Sequence, residues 1–220
     1  SPAIFILFFL IKKKIKIALW FIVFIALFNI ISIFVFGKQI VIGYYTDLLP
    51  ALMHRGMFDN PYNQSFHNLY WRLFKHGHGY STPLVYAPNI FNILTTLTTY
   101  SIFIFSLIFI WKHRTKNDSL ILAALLILTL LCSNVSWEHH YSLTIFAFII
   151  VFKFLDENYI NKYALIIFCC AYALMSVKIG YDNKLLLRGI LNIFVSIRLY
   201  SAILLYFIIF LCIKFSKNNN

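Results

Sequence analysis

The chain has 220 residues, of which 61% are hydrophobic and 12% are charged. A soluble domain carries about 25% charged residues, so this composition excludes a soluble globular protein and indicates an integral membrane protein. The formal net charge of +12 does not indicate nucleic-acid binding, because the basic residues are scattered over short segments between apolar runs. In such segments they set membrane topology and meet anionic lipid.

The apolar runs predict an all-α bundle of transmembrane helices with about six complete spans and one partial span. The opening run, Ser1 to Ile11, is shorter than the roughly 20 residues that cross a bilayer. We interpret it as the second half of a span whose first half lies in a missing N-terminal part. The complete spans are predicted at Ile17–Phe36, Ile90–Trp111, Ser119–Val135, Tyr141–Leu155, Tyr163–Val177 and Ile190–Ile213.

Residues 37–89 form one long polar segment, which is predicted to be an outer loop containing two interfacial helices. An apolar stripe from Ile40 to Met53 predicts the first helix. A second stripe from Phe66 to Phe74 predicts the other, with Asn63 or Ser65 as its N-cap.

The basic residues orient the chain, because they are concentrated in the short loops of one side, beginning with the lysines at 12–16. Such loops lie in the cytoplasm, so the long loop faces outward. We expect one transmembrane domain over residues 1–213, as the C-terminal part of a longer chain, followed by a cytoplasmic tail at 214–220.

The most informative stretch is residues 133–141, Ser-Asn-Val-Ser-Trp-Glu-His-His-Tyr, between two apolar runs. Ionisable residues at lipid depth are costly and mark functional sites by default, whereas a plain turn uses Gly, Asn, Asp or Pro. The flanking runs are short, so Glu138, His139 and His140 are expected at or just below the outer interface, in a recess lined by protein.

Three kinds of site are compatible with this stretch. A metal site would combine the two histidines with His76 and His78, although their spacing matches no standard zinc pattern. A proton or ion relay would use Glu138, although the other spans carry almost no ionisable residue to continue it. A site for an anionic lipid phosphate fits the shallow depth and the outer positive charge best. It would add the outer arginines, Arg55, Arg72, Arg188 and Arg198.

Arg198 also has a simpler interpretation. It lies within the last apolar run, and we interpret it as extending its charged end to the membrane interface rather than as a site residue.

Two motifs in this chain resemble those of glycosyltransferase family 87. Residues 136–141, Ser-Trp-Glu-His-His-Tyr after an apolar helix, resemble the late motif of that family. Residues 63–66, Asn-Gln-Ser-Phe, resemble its outer-loop motif, and Leu69, Arg72, Leu73 and Phe74 follow in the same layout. The opening Ser1-Pro2-Ala3 resembles the Lys-Pro-Gln segment of the family, with Ser and Ala in place of Lys and Gln.

The resemblance implies a polytopic C-type glycosyltransferase similar to the polyprenyl-phosphomannose-dependent α-1,2-mannosyltransferases. It implies that a hexose, mannose in those enzymes, moves from a polyprenyl phosphate to a hydroxyl of a lipid or glycan at the outer face of the plasma membrane. Transfer is expected with inversion and without nucleotide, metal or other cofactor. The principal catalytic carboxylate is expected upstream of the residues in this chain.

On this resemblance the catalytic candidates are Glu138, His139 and His140. The histidines are expected to contact the donor phosphate or sugar, and Glu138 to orient one imidazole or a sugar hydroxyl. The substrate-binding candidates are Asn63, Gln64, Ser65, Arg72, Trp137 and Tyr141. Two other functions stay open: a transporter or flippase of a lipid-linked sugar without transfer chemistry, and a structural subunit of an envelope complex.

Overall fold

The computed structural model describes residues 3–54, 60–75, 81–158, 162–181 and 183–217. Within these ranges the chain forms ten α-helices with short π- and 3-10-helical segments, and its only β-pairing is a pair of isolated bridges. The all-α prediction is therefore confirmed for the described residues. The chain divides into two compact units, Ser1–Gly56 and Met57–Asn220.

The first unit is built around one long apolar helix. Helix α1 (Ala3–Ile11) packs against α2 (Ile15–Phe36). Helix α2 ends at Gly37, whose φ of +87° is strained for residues that carry a Cβ. The stripe predicted as an interfacial helix then forms α3 (Lys38–Gly43), a π-helical turn and α4 (Leu49–His54).

The second unit places two helices at its centre. Its elements are α5 (Phe66–Phe74), α6 (Pro88–Lys112), α7 (Asp118–Leu131), a 3-10 segment (Glu138–Leu143), α8 (Thr144–Glu157), α9 (Lys162–Ser176), a second 3-10 segment (Gly189–Ser196) and α10 (Ile197–Phe215). Helices α7 and α10 carry the largest sets of buried side chains. Helix α10 packs against α7, α8 and α9, while α6 packs against α7 and α5.

The outer helices of this unit turn large apolar side chains away from the core. Ile104 and Ile108 of α6, Phe146 and Ile149 of α8 and Leu165 of α9 are all more than half exposed. Lipid solvates such surfaces, and a helix satisfies its own backbone hydrogen bonds. The second unit therefore has the surface of a membrane bundle.

Four helical stretches are long and apolar enough to cross a membrane, as judged by length and composition over the described residues: Ile15–Phe36, Pro88–Lys112, Glu138–Glu157 and Gly189–Phe215. These stretches correspond to four of the six complete spans predicted from the sequence. Helices α7 and α9 are also apolar but have only 14 and 15 residues. Crossing by these two shorter helices stays a prediction.

The two ends of the second unit are held together by different contacts. At one end, Lys116 in the α6–α7 loop donates a hydrogen bond to the backbone carbonyl of Ser216, just after α10. At the opposite ends of α7 and α10, three parts of the chain meet: residues 60–74, residues 133–143, and Tyr181 with residues 183–198. The candidate site residues in the described part of this unit lie in these three segments.

Candidate active site

The two sequence motifs meet directly through a short antiparallel bridge between Asn63 and Trp137. The backbone N–H of Gln64 donates to the carbonyl of Ser136 at 2.8 Å. The side chain of Asn63 extends this pairing, because its Oδ1 accepts from the backbone N–H of Ser136 at 2.9 Å. A loop and a turn more than 70 residues apart in sequence are thus joined by backbone and amide contacts.

Gln64 and Tyr141 add a second connection between the motifs. The buried Tyr141 hydroxyl donates to the backbone carbonyl of Gln64 at 2.6 Å. The Gln64 side chain in turn donates from Nε2 to the carbonyls of Pro61 at 2.8 Å and Val195 at 3.0 Å. This glutamine therefore connects the loop before α5 to the 3-10 segment that precedes α10.

Ser65 begins α5 and fastens it to the turn after α7. Its hydroxyl oxygen accepts from the backbone N–H of Asn68 at 3.1 Å, as an N-cap does. The same hydroxyl donates to the carbonyl of Asn134 at 2.8 Å. Of the two predicted N-caps, Ser65 is therefore the one that the structure uses.

Arg72 is fully buried, with 0% of its surface exposed. Its guanidinium donates from Nη1 to the carbonyl of Asn63 at 3.3 Å and from Nη2 to the hydroxyl of Ser196. A buried guanidinium is costly without hydrogen-bonding partners. The contacts of Arg72 thus hold α5 against the second 3-10 segment.

Glu138 forms the polar centre of the partly open region beside these contacts. Its Oε1 accepts from Arg198 Nε and from the Tyr181 hydroxyl, both at 2.6 Å. The side chains of Glu138 and Arg198 are 29% and 20% exposed, so solvent screens the pair only in part. Arg198 is fixed further by a hydrogen bond from Nη1 to the carbonyl of Met175 at 2.7 Å.

These contacts change two interpretations made from the sequence. Arg198 lies in an ion pair, rather than simply extending its charge to the membrane interface. Glu138 is bonded to this guanidinium and to Tyr181, rather than to an imidazole. Burial, and then the hydrogen bond to Glu138, raise the pKa of Tyr181, so this phenol stays protonated and donates at neutral pH.

The two histidines follow Glu138 on the 3-10 segment and differ in exposure. His139 is exposed and His140 is half-buried, with ring centroids 4.4 Å apart in an edge-on arrangement. His140 Nδ1 lies 3.2 Å from the backbone N–H of Trp137, which donates to it. An Nδ1 that accepts leaves the proton of the neutral ring on Nε2. His140 can therefore present an Nε2–H donor.

The remaining candidates are distributed less closely. Trp137 is half-buried within the bridge, and Arg188 is exposed next to the second 3-10 segment. Arg55, His76 and His78 lie outside the described residues. Within the part of the chain that the structure describes, no three His, Cys, Asp or Glu side chains come close enough together to hold a metal ion.

The sequence names Arg198 only among the outer arginines, with an interfacial role preferred, and it does not identify Tyr181 at all. The signal for Arg198 is its charge inside an apolar run, because such residues pair with one another, and Glu138 is one of the acids that the sequence places on the same side. No feature of the sequence indicates a site role for Tyr181. Its link to Glu138 joins residues 43 positions apart and follows no local pattern.

Comparison with known proteins gives one match. The model of glycosyltransferase family 87 matches residues 1–134, a range that contains Asn63, Gln64, Ser65 and Arg72 and ends before Ser136. No curated protein and no solved structure matches the chain.

Proposed function

Because this chain belongs to glycosyltransferase family 87, we propose that it transfers a hexose, mannose in the simplest case, from a polyprenyl phosphate to a hydroxyl of a lipid or glycan. The assignment of residues to this reaction rests on the partly open cluster of Glu138, Arg198 and Tyr181, which lies beside the histidine pair. It offers cationic and N–H donors to a phosphate at the end of a membrane bundle.

The reaction is a substitution at the anomeric carbon of the donor sugar. A bond forms between the acceptor oxygen and C1, while the bond between C1 and the phosphate oxygen breaks. The electron pair of the broken bond leaves with the polyprenyl phosphate, and the acceptor proton passes to a general base. Attack from the face opposite the phosphate inverts the configuration at C1.

Arg198, His139 and His140 are assigned to the departing phosphate. Negative charge builds up on that phosphate as the bond breaks, and donors already held in place stabilise it without reorganisation. Arg198 Nε and Nη1 bond to Glu138 and Met175, and the five N–H groups of a guanidinium leave further donors for a phosphate. The Nε2–H of His140 is a second available donor.

Glu138 is assigned a positioning role rather than the role of base. Its Oε1 already accepts two short hydrogen bonds, one of them from a guanidinium. An oxygen that already accepts two hydrogen bonds has little capacity left to take the proton of the acceptor. Glu138 fixes the plane of Arg198, so that the remaining donors of the guanidinium face the phosphate.

The outer-loop candidates are also assigned to positioning. Asn63, Gln64, Ser65 and Arg72 are all fully buried, with 0% exposure, and the hydrogen bonds described above join them to protein groups. These contacts support a frame that holds the turn at 133–141, in place of the direct substrate contacts expected from the sequence. Trp137 is half-buried, so its ring is the better candidate for stacking on the sugar.

The placement in the membrane follows from the loops of the second unit. The loop at Lys116 and the segment after α10 share one end, and the positive charge of that end predicts that it is cytoplasmic. The Glu138 cluster then faces outward across a plasma membrane. This arrangement requires α7 and α9 to cross the bilayer as well, which gives the six complete spans predicted from the sequence, with 214–220 as a tail.

The assignment of His140 is tested by measuring turnover in membranes that contain the natural full-length protein. His140→Ala is expected to lower transfer by about 100-fold or more at unchanged expression. His113→Ala is the matched control, because His113 follows the end of α6 that points away from the Glu138 cluster. Its Nδ1 lies 2.9 Å from the backbone carbonyl oxygen of Phe109 in the same helix. Equal turnover in the two variants would remove His140 from the site.

A further inference from the structure

A second polar region lies between α5, α6 and the turn that precedes Glu138. It is a cavity of about 350 Å³, lined by His67, Asn92, Thr95, Thr96, Thr99 and Asn134, among others. This volume falls within the roughly 300–1,000 Å³ typical of small-molecule sites. No candidate residue of the proposed phosphate site belongs to its lining.

The lining of this cavity is unusual for a membrane helix. Asn92, Thr95, Thr96 and Thr99 are spaced at i, i+3, i+4 and i+7, which places one amide and three hydroxyls on a single face of α6. The Thr95 hydroxyl is buried and has no hydrogen-bond partner among the described residues. Threonine in such helices usually bonds to a carbonyl of its own helix, and a buried hydroxyl left without a partner is costly.

The side chains that line the cavity carry no charge. The residues that line it include no Asp, Glu, Lys or Arg. Burial, and then the charge of Lys75, lower the pKa of His67 to about 4, so this ring is uncharged at neutral pH. Buried Phe91 supplies an apolar wall, whose ring stands edge-on to that of His67 at 4.9 Å. The Lys75 ammonium stands 4.5 Å from the centroid of the Phe91 ring and is not part of the lining, so the lining itself offers a phosphate no cation.

We propose that the cavity between α5 and α6 binds the uncharged, hydroxyl-rich part of the acceptor, a sugar or polyol headgroup. A face of hydroxyls and amides beside an aromatic wall matches a polyol that both donates and accepts hydrogen bonds. The turn after α7 carries Asn134 at this cavity and Glu138 at Arg198. The sugar acceptor and the sugar donor thus have separate polar regions along a single turn. The region for the acceptor is lined by uncharged side chains, and the region for the donor is cationic.

The proposal rests on the proposed transfer reaction, and binding is measured separately from transfer. The full-length protein is placed in phosphatidylcholine nanodiscs, and a diazirine-bearing octyl hexoside serves as the probe. Photolabelled peptides are mapped, and the labelling is titrated with the unmodified octyl hexoside. The variant Thr95→Val, Thr99→Val removes two hydroxyls at nearly constant shape. Thr129→Val is the matched control, because its hydroxyl bonds to Leu126 within α7 at 2.7 Å.

The expected result is labelling within residues 88–100 or at Asn134. The double variant should weaken binding of the hexoside about ten-fold or more, the loss expected for two hydrogen bonds. Binding of polyprenyl-phosphate hexose should be the same in wild type, double variant and control. Unchanged hexoside affinity in the double variant, or label confined to residues outside the cavity, would overturn the proposal.

The two proposals fail in different ways. Labelling of the cavity in a protein that transfers no hexose would refute the transferase function and leave the polyol site standing. Normal transfer by a double variant with unchanged hexoside affinity would refute the cavity as the acceptor site and leave the transferase function standing.

Discussion

The ion pair between Glu138 and Arg198 leads to a quantitative prediction about stability. At 2.6 Å and an effective dielectric constant of about 20, the direct attraction is roughly 6 kcal/mol. Desolvation of both groups offsets most of this attraction, and a hydrogen bond to a charged group contributes about 1.5–3 kcal/mol net. Glu138→Gln keeps an oxygen acceptor and loses the charge, so we expect the free energy of unfolding to fall by about 1–2 kcal/mol.

The pairwise part of that effect is measured with a double-mutant cycle. Glu138→Gln, Arg198→Gln and the double variant are unfolded reversibly by SDS titration in mixed micelles. We expect a coupling energy of about 1–2 kcal/mol, because both partners are largely shielded from solvent. The matched control is the pair Lys153–Glu157, which is 3.7 Å apart with side chains 74% and 58% exposed.

The control pair should show coupling below about 0.5 kcal/mol, as exposed helix pairs do. A coupling energy for Glu138 and Arg198 no larger than that of the control would refute the ion pair as a positioning contact. It would also remove the argument that Glu138 fixes the guanidinium for a phosphate.

Three further predictions concern the frame around the turn. Ser65→Ala should lower the free energy of unfolding by about 1–2 kcal/mol, since it removes both a helix cap and a link to the turn. The control is Ser32→Ala, whose hydroxyl bonds to its own helix and whose loss should cost less than about 0.5 kcal/mol. Equal losses in denaturant titrations of the two variants would contradict the role of Ser65 as cap and link. Tyr141→Phe should cost about 1–3 kcal/mol because a buried carbonyl loses its donor, whereas exposed Tyr172→Phe should be near neutral in the same titration. The folded-state pKa of His67 is lowered to about 4, so between pH 6.5 and 4 the unfolded chain binds a proton at His67 and the folded protein does not. The free energy of unfolding should therefore fall by up to about 3 kcal/mol as the pH drops from 6.5 to 4. A pH dependence of stability identical to that of His67→Asn would refute this reasoning.

The positions of the helices could be predicted from the sequence because apolar runs and their boundaries are local signals. The stripe at Phe66–Phe74 became α5 with the same bounds. The span predicted at Ser119–Val135 was too long, since α7 ends at Leu131. Its last turn is lost because Ser133 bonds locally to the backbone of Val135, and serine side chains compete with helical hydrogen bonds in this way.

The contacts of the candidate site could be predicted only in part. Residue types identified two polar motifs, but nothing in their spacing shows that Asn63 pairs with Trp137, because register between distant segments is set by packing. An amide or guanidinium that binds a ligand also looks the same in sequence as one that binds backbone. Arg72 shows this most clearly, because its buried contacts with Asn63 and Ser196 connect elements of the fold.

The central claim is that this chain transfers a hexose at the turn that carries Glu138. The most direct measurement incubates membranes containing the full-length protein with radiolabelled polyprenyl-phosphate hexose, and compares wild type with Glu138→Gln and His139→Ala. Label that moves to a lipid or glycan acceptor in wild type, and is strongly reduced in both variants, is the predicted result. Donor binding without transfer for several hexoses would contradict the claim and would favour a flippase of the lipid-linked sugar.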